Sequence, residues 1–63
     1  MLAIERRNAI LAKLQEDKKV VVSDLSTLYN VTEETIRRDL EKLEAEGLAK
    51  KTYGGAVINE SLN

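Results

Sequence analysis

A chain with no cysteine and no histidine has to hold itself together by packing alone. Neither a disulfide nor a zinc site built on thiolate and imidazole is open to it. With 63 residues it is one small domain. A domain near this size buries only about 60% of its unfolded surface. Its core must come from nine Leu, four Ile and five Val, helped by well-capped elements. The same absences remove Ser–His and Cys–His nucleophiles. No apolar run approaches the ~18 residues of a membrane span. The start, Met1-Leu2-Ala3-Ile4-Glu5-Arg6-Arg7, carries charge where a signal peptide needs an apolar stretch. No membrane partner and a reducing cytoplasm are the expectations.

Glycine falls only at 47, 54 and 55, and proline is absent. The first two-thirds of the chain are therefore free to be helical. At about 100° per residue, Ala3, Ile4, Arg7, Ile10, Leu11 and Leu14 share one stripe. This predicts an amphipathic helix from Ala3 to about Glu16. Val20-Val21-Val22 is β-branched throughout and favours a short strand. Ser23 then reads as an N-cap, with Leu25, Leu28 and Tyr29 as the apolar edge of a short helix over Asp24–Tyr29. Asn30 tolerates a left-handed backbone, and Thr32 is a second N-cap. The third helix runs to Glu46, buries Ile36, Leu40 and Leu43, and stops at Gly47. Two capped helices about three residues apart read as a helix-turn-helix. Leu48–Tyr53 and Ala56–Ile58 read as strands around a Gly54-Gly55 turn. The Val20–Val22 strand can pair with that hairpin. The predicted class is mainly α with a small β-sheet (α+β): a winged helix-turn-helix of three helices and a β-hairpin wing, over residues 1–58.

The net charge is −1 and the pI about 5.4. That total opposes nucleic-acid binding, yet the charges are segregated. Residues 48–58 hold Lys50 and Lys51 and no acid. The solvent side of the third helix presents Glu34, Thr35, Arg38, Lys42 and Ala45, with Arg37 on a flank. Such a face suits a DNA major groove, where Arg grips guanine or phosphate and Thr meets a phosphate or a thymine methyl. It is equally what any solvated helix presents. The wing adds lysine charge, the Tyr53 hydroxyl, and glycines that let backbone approach phosphate. Ser23 can aim helix N–H groups at a phosphate or simply cap. Asp39 lies beside the buried stripe, where a bare carboxylate is costly, so Arg6 or Arg7 is its expected partner. The pairs Glu33/Glu34 and Glu41/Glu44 permit a catalytic reading. No second constellation faces them, so no enzyme, metal or cofactor is expected. A protein-binding winged helix is the alternative. It would use an apolar patch drawn from Leu2, Val57, Ile58 and Leu62.

Arg6, Ile10 and Leu14 at four-residue steps, Thr32, and the run Thr35-Ile36-Arg37-Arg38-Asp39-Leu40 form one pattern. The Glu44–Leu48 turn and the ending Tyr53-Gly54-Gly55-Ala56 extend it. Over residues 5–57 this resembles the DeoR-type bacterial repressors. The resemblance implies a winged helix-turn-helix on operator DNA, with helix 33–46 in the major groove and wing 48–58 along the backbone. It implies that Thr35, Arg37 and Arg38 face DNA. Lys51 stands where the family prefers Arg, and Tyr53 where it often has His. Lysine keeps the charge and loses the two-point grip. Ser26 replaces a usual small Ala and Asn30 a frequent Gly. From residues and resemblance together, the expected DNA-binding set is Ser23, Thr32, Glu34, Thr35, Arg37, Arg38, Lys42, Lys50, Lys51, Tyr53, Gly54 and Gly55. The resemblance further implies repression of carbohydrate-metabolism genes. It implies a linker beginning at 59–63 and a C-terminal domain absent from this chain, which binds a phosphorylated sugar and forms homo-oligomers.

Overall fold

The computed structural model describes residues 1–60. In chain order the elements are α1 (Ala3–Asp17), β1 (Lys19–Val21), α2 (Val22–Tyr29), α3 (Glu33–Ala45), β2 (Ala49–Thr52) and β3 (Gly55–Ile58). The strands form one antiparallel sheet in the order β1-β3-β2. Val20 and Lys51 both lie opposite Ala56. This is the winged helix-turn-helix the sequence predicts, including the pairing of the first strand with the hairpin.

The core is one cluster. Ile10 and Leu14 come from α1, Val22 and Leu25 from α2, and Ile36, Leu40 and Leu43 from α3. Val20, Ala49 and Ala56 close it from the sheet. The α1 stripe is buried only from Ile10 onward. Ala3 and Ile4 are exposed. Arg7 is half-buried near Asp39.

Helix ends follow local chemistry at five of six places. Glu5 Oε1 accepts from the Leu2 N–H (2.8 Å) at the start of α1. Lys18 closes α1 at φ 71°, its N–H on the Leu14 carbonyl (2.8 Å). Thr32 caps α3 as expected, its side chain accepting from the Thr35 N–H (3.1 Å). α2 and α3 both finish in Schellman turns. Asn30 (φ 55°) carries the left-handed residue of the first, with Val31 N–H on the Ser26 carbonyl (3.1 Å). Gly47 (φ 77°) carries that of the second, with Leu48 N–H on the Leu43 carbonyl (2.9 Å). The third helix therefore ends at Ala45, with Glu46 as its cap.

Ser23 departs from expectation. The strand runs straight into α2, Val21 is the N-cap, and Ser23 sits inside the first turn. The N–H of Val22 is satisfied by the carbonyl of Gly54 (2.8 Å). A wing carbonyl thus satisfies an N–H at the start of the helix, where no side chain caps it. The hairpin turn is also displaced by one residue. Tyr53 and Gly54 form the loop, and Thr52 pairs with Gly55. Gly54 has φ 83°, whereas Gly55 is a buried strand residue. A Cβ there would lie 2.0 Å from the Val20 carbonyl oxygen, so the sheet closes only around a glycine. Asn59 donates from its side chain to the Gly47 carbonyl (2.8 Å) and from its backbone to Leu48 (3.2 Å). The hydrogen-bonded unit therefore extends one residue past 58. Residues 61–63, including Leu62, lie outside the described residues.

Candidate DNA interface

The face of α3 away from the core is set by the burial of Ile36, Asp39, Leu40 and Leu43. Arg38 falls opposite that stripe and Arg37 on its flank, and both are exposed. Asp39, one step further round, turns inward and is 3% exposed. It meets the guanidinium of Arg6 through two nitrogens, with Nη2 to Oδ1 at 3.1 Å and Nε on Oδ2. Arg7 Nη1 stands 3.8 Å from Oδ1. Both arginines named as alternatives thus serve the same carboxylate. The hydrogen bond to Asp39 holds the Arg6 guanidinium pKa above its ordinary value. The Arg–Arg–Asp run therefore divides its labour: two cations for the surface, one anion for the fold.

Each exposed arginine has a glutamate one turn before it. Arg37 Nη2 binds Glu33 Oε1 (3.0 Å) and Arg38 Nη2 binds Glu34 Oε2 (3.3 Å). These are i,i+4 pairs in the favourable Glu-to-Arg order, worth a few tenths of a kcal/mol each, about 0.2–0.5. A stronger anion displaces them readily. They also hold both side chains along the helix surface. The Thr35 hydroxyl lies 2.9 Å from that of Thr32, so the two threonines make one polar corner at the helix start.

The wing stands beside this face. Arg37, Lys51, Thr52, Tyr53 and Gly54 line one cleft between α3 and the hairpin. Tyr53 is fully exposed at the tip. Lys50 is exposed opposite Val57. Lys51 points back to α3, its Nζ 3.1 Å from Glu41 Oε2. Its backbone N–H donates to Glu44 Oε2 (2.8 Å).

The structure thus brings Thr32, Glu34, Thr35, Arg37, Arg38 and Lys42 together on α3, with Lys50, Lys51, Tyr53 and Gly54 on the adjoining wing. All are exposed except Thr35, which is half-buried. Ser23 is exposed on α2, and its carbonyl accepts from the Ser26 hydroxyl (3.0 Å). Gly55 is buried in the sheet. Glu33, Glu41 and Glu44 also belong to this face, outside the set expected from the sequence. The Glu33–Arg37 spacing is a signal the sequence does carry. The contacts of Glu41 and Glu44 with Lys51 span 10 and 7 residues across a turn, and only the folded hairpin reveals them. Among the described residues, no group of three or more acids forms a metal site, and no helix is long and apolar enough to cross a membrane.

Residues 6–62 match the DeoR-like helix-turn-helix domain. A putative aga operon transcriptional repressor of Escherichia coli O157:H7 is 49% identical over 57 residues, 90% of this chain and 21% of that protein. An uncharacterised HTH-type transcriptional regulator of Bacillus subtilis, YulB, is also 49% identical over 57 residues, covering 22% of its length. The regulator GolR of Listeria innocua is 43% identical over 61 residues, 97% of this chain and 24% of that one. The chain therefore spans under a quarter of the length of these relatives. No solved structure matches it. By the extent of the domain match and the motif that carries it, the chain belongs to the DeoR-like helix-turn-helix family.

Proposed function

We infer that this chain is the DNA-binding domain of a bacterial transcriptional regulator, docking on double-stranded operator DNA without chemistry. The observation that carries the reading is the single surface shared by α3 and the wing. It offers Thr32, Thr35, Arg37 and Arg38 at the N-terminal end of a capped helix, with the wing tip from Thr52 to Gly54 alongside. An α-helix fits the major groove, and the positive end of its dipole favours a phosphate there. In this reading Glu33 and Glu34 release their arginines to phosphates or guanine edges. Lys42 supports the same face from further along the helix. The Gly54 backbone lets the wing tip lie close to the sugar–phosphate chain.

The relatives' names extend the reading to carbohydrate genes. They include the aga repressor and a putative galactitol utilization operon repressor of Escherichia coli. An L-fucose operon activator of Haemophilus influenzae is another, 41% identical over 56 residues. Repression is the sense we favour. The greater length of the relatives and the family resemblance support a further domain beyond a linker near residue 59. That domain would bind a phosphorylated sugar and form homo-oligomers.

Fluorescence anisotropy with a labelled duplex, across a salt series, tests the docking itself. The isolated domain is expected to bind mixed-sequence duplex with a Kd of roughly 10⁻⁴ to 10⁻⁶ M at physiological salt. Arg38→Ala is expected to cost about 1–3 kcal/mol on a cognate site and to relax the preference at one position. Equal loss on all sequences would make Arg38 a phosphate contact. Failure to bind at low salt would refute the reading.

A further inference from the structure

We propose that Glu44 and Glu41 are positioning residues for DNA docking, and that Lys51 is the strut through which they hold the wing against α3. This rests on the docking reading above. β2 is an edge strand, so every second N–H along it has no strand partner. At Lys51 that N–H is taken by the Glu44 carboxylate (2.8 Å). The same residue's ammonium is taken by Glu41, one turn earlier on α3 (3.1 Å). Backbone and side chain of one wing residue are thus tied to two successive turns of the helix that would enter the groove. The Gly54 carbonyl on the Val22 N–H secures the other side of the hairpin. The wing is braced from both flanks, and its angle to α3 is fixed before DNA arrives. Two acids beside a phosphate-facing surface would otherwise only weaken binding. Their contacts with Lys51 give them a reason to be there.

Glu44→Gln and Glu44→Ala separate the two roles, since both remove one negative charge and only glutamine keeps an acceptor. Anisotropy with a mixed-sequence duplex at low salt reads the result. If Glu44 positions the wing, Glu44→Gln binds as tightly as the parent chain or better, and Glu44→Ala binds about tenfold more weakly, a difference of about 1.4 kcal/mol. Equal affinities for the two variants overturn the proposal. Glu41→Ala adds a second readout. It removes a negative charge, which without a strut would tighten duplex binding; with Lys51 released from α3 it is expected to bind several-fold more weakly. Binding by Glu41→Ala as tight as the parent chain's or tighter would overturn the strut. Without DNA, the Lys51 amide resonance should move in Glu44→Ala and far less in Glu44→Gln. A Lys51 amide indifferent to Glu44→Ala would overturn the brace itself. Absence of duplex binding by the parent chain would remove the docking reading and the positioning role with it.

Discussion

Asp39 shows how much one residue settles. A carboxylate 3% exposed is tolerable only with its charge matched, and Arg6 and Arg7 supply the match from α1. Removing it would leave two half-buried guanidiniums facing a cavity. Asp39→Ala is expected to lower stability by about 2–3 kcal/mol, below a fully buried pair because both arginines keep some solvent. Thermal melting should report a Tm lower by roughly 10–20 °C. The pH dependence has a definite sign. The pKa of the Arg6 guanidinium is raised in the folded state, so its contribution is complete below the ordinary arginine pKa and is lost as pH rises through the raised one. The Tm difference between the parent chain and Arg6→Gln should therefore not shrink as pH rises from neutral to about pH 10. This pairing was legible in the sequence, because a carboxylate beside an apolar stripe demands a partner and arginines stand at the right steps. Glu41 and Glu44 were not legible, since nothing local distinguishes them from other solvated acids on a helix.

At the scale of elements, two neighbouring glycines behave differently. Gly54 needs glycine for its backbone, at φ 83°, and a Cβ there would meet nothing within 4 Å. Gly54→Ala should cost about 1 kcal/mol of conformational strain. Gly55 has an ordinary backbone and no room, with the Val20 carbonyl 2.0 Å from where a Cβ would sit. Gly55→Ala should cost more, about 2–3 kcal/mol, by forcing β1 away from β3. Urea denaturation of both variants checks the order; a larger loss at Gly54 would contradict it. The existence and sequence of the elements were legible from Thr32, Asn30, Gly47 and the valine run. The α2 start was not, because its first N–H is satisfied by Gly54, which is 32 residues away in the chain and adjacent only after folding. The hairpin turn was misplaced by one residue for a related reason. Gly-Gly is a local turn signal, and only the packing of Val20 against the sheet decides which glycine does the turning.

For the whole molecule the balance of charge is the issue. α3 carries five acids and three bases over Glu33–Ala45. A net charge of −1 would repel DNA if it were spread evenly. Here Asp39 is neutralised from α1, Glu33 and Glu34 are paired with exchangeable arginines, and Glu41 is spent on Lys51. What remains is a small cationic surface on a domain with weak long-range attraction. Docking is then expected to be short-ranged and strongly weakened by salt. The measurement that bears most directly on this is a titration of the ¹⁵N-labelled domain with a mixed-sequence duplex at low salt, following every amide. The expected result is shifts gathered at residues 32–38 and 50–54, with α1 still. A folded domain whose amides stay in place at high duplex concentration, or shift instead along Met1, Leu2 and Ile4, would contradict it.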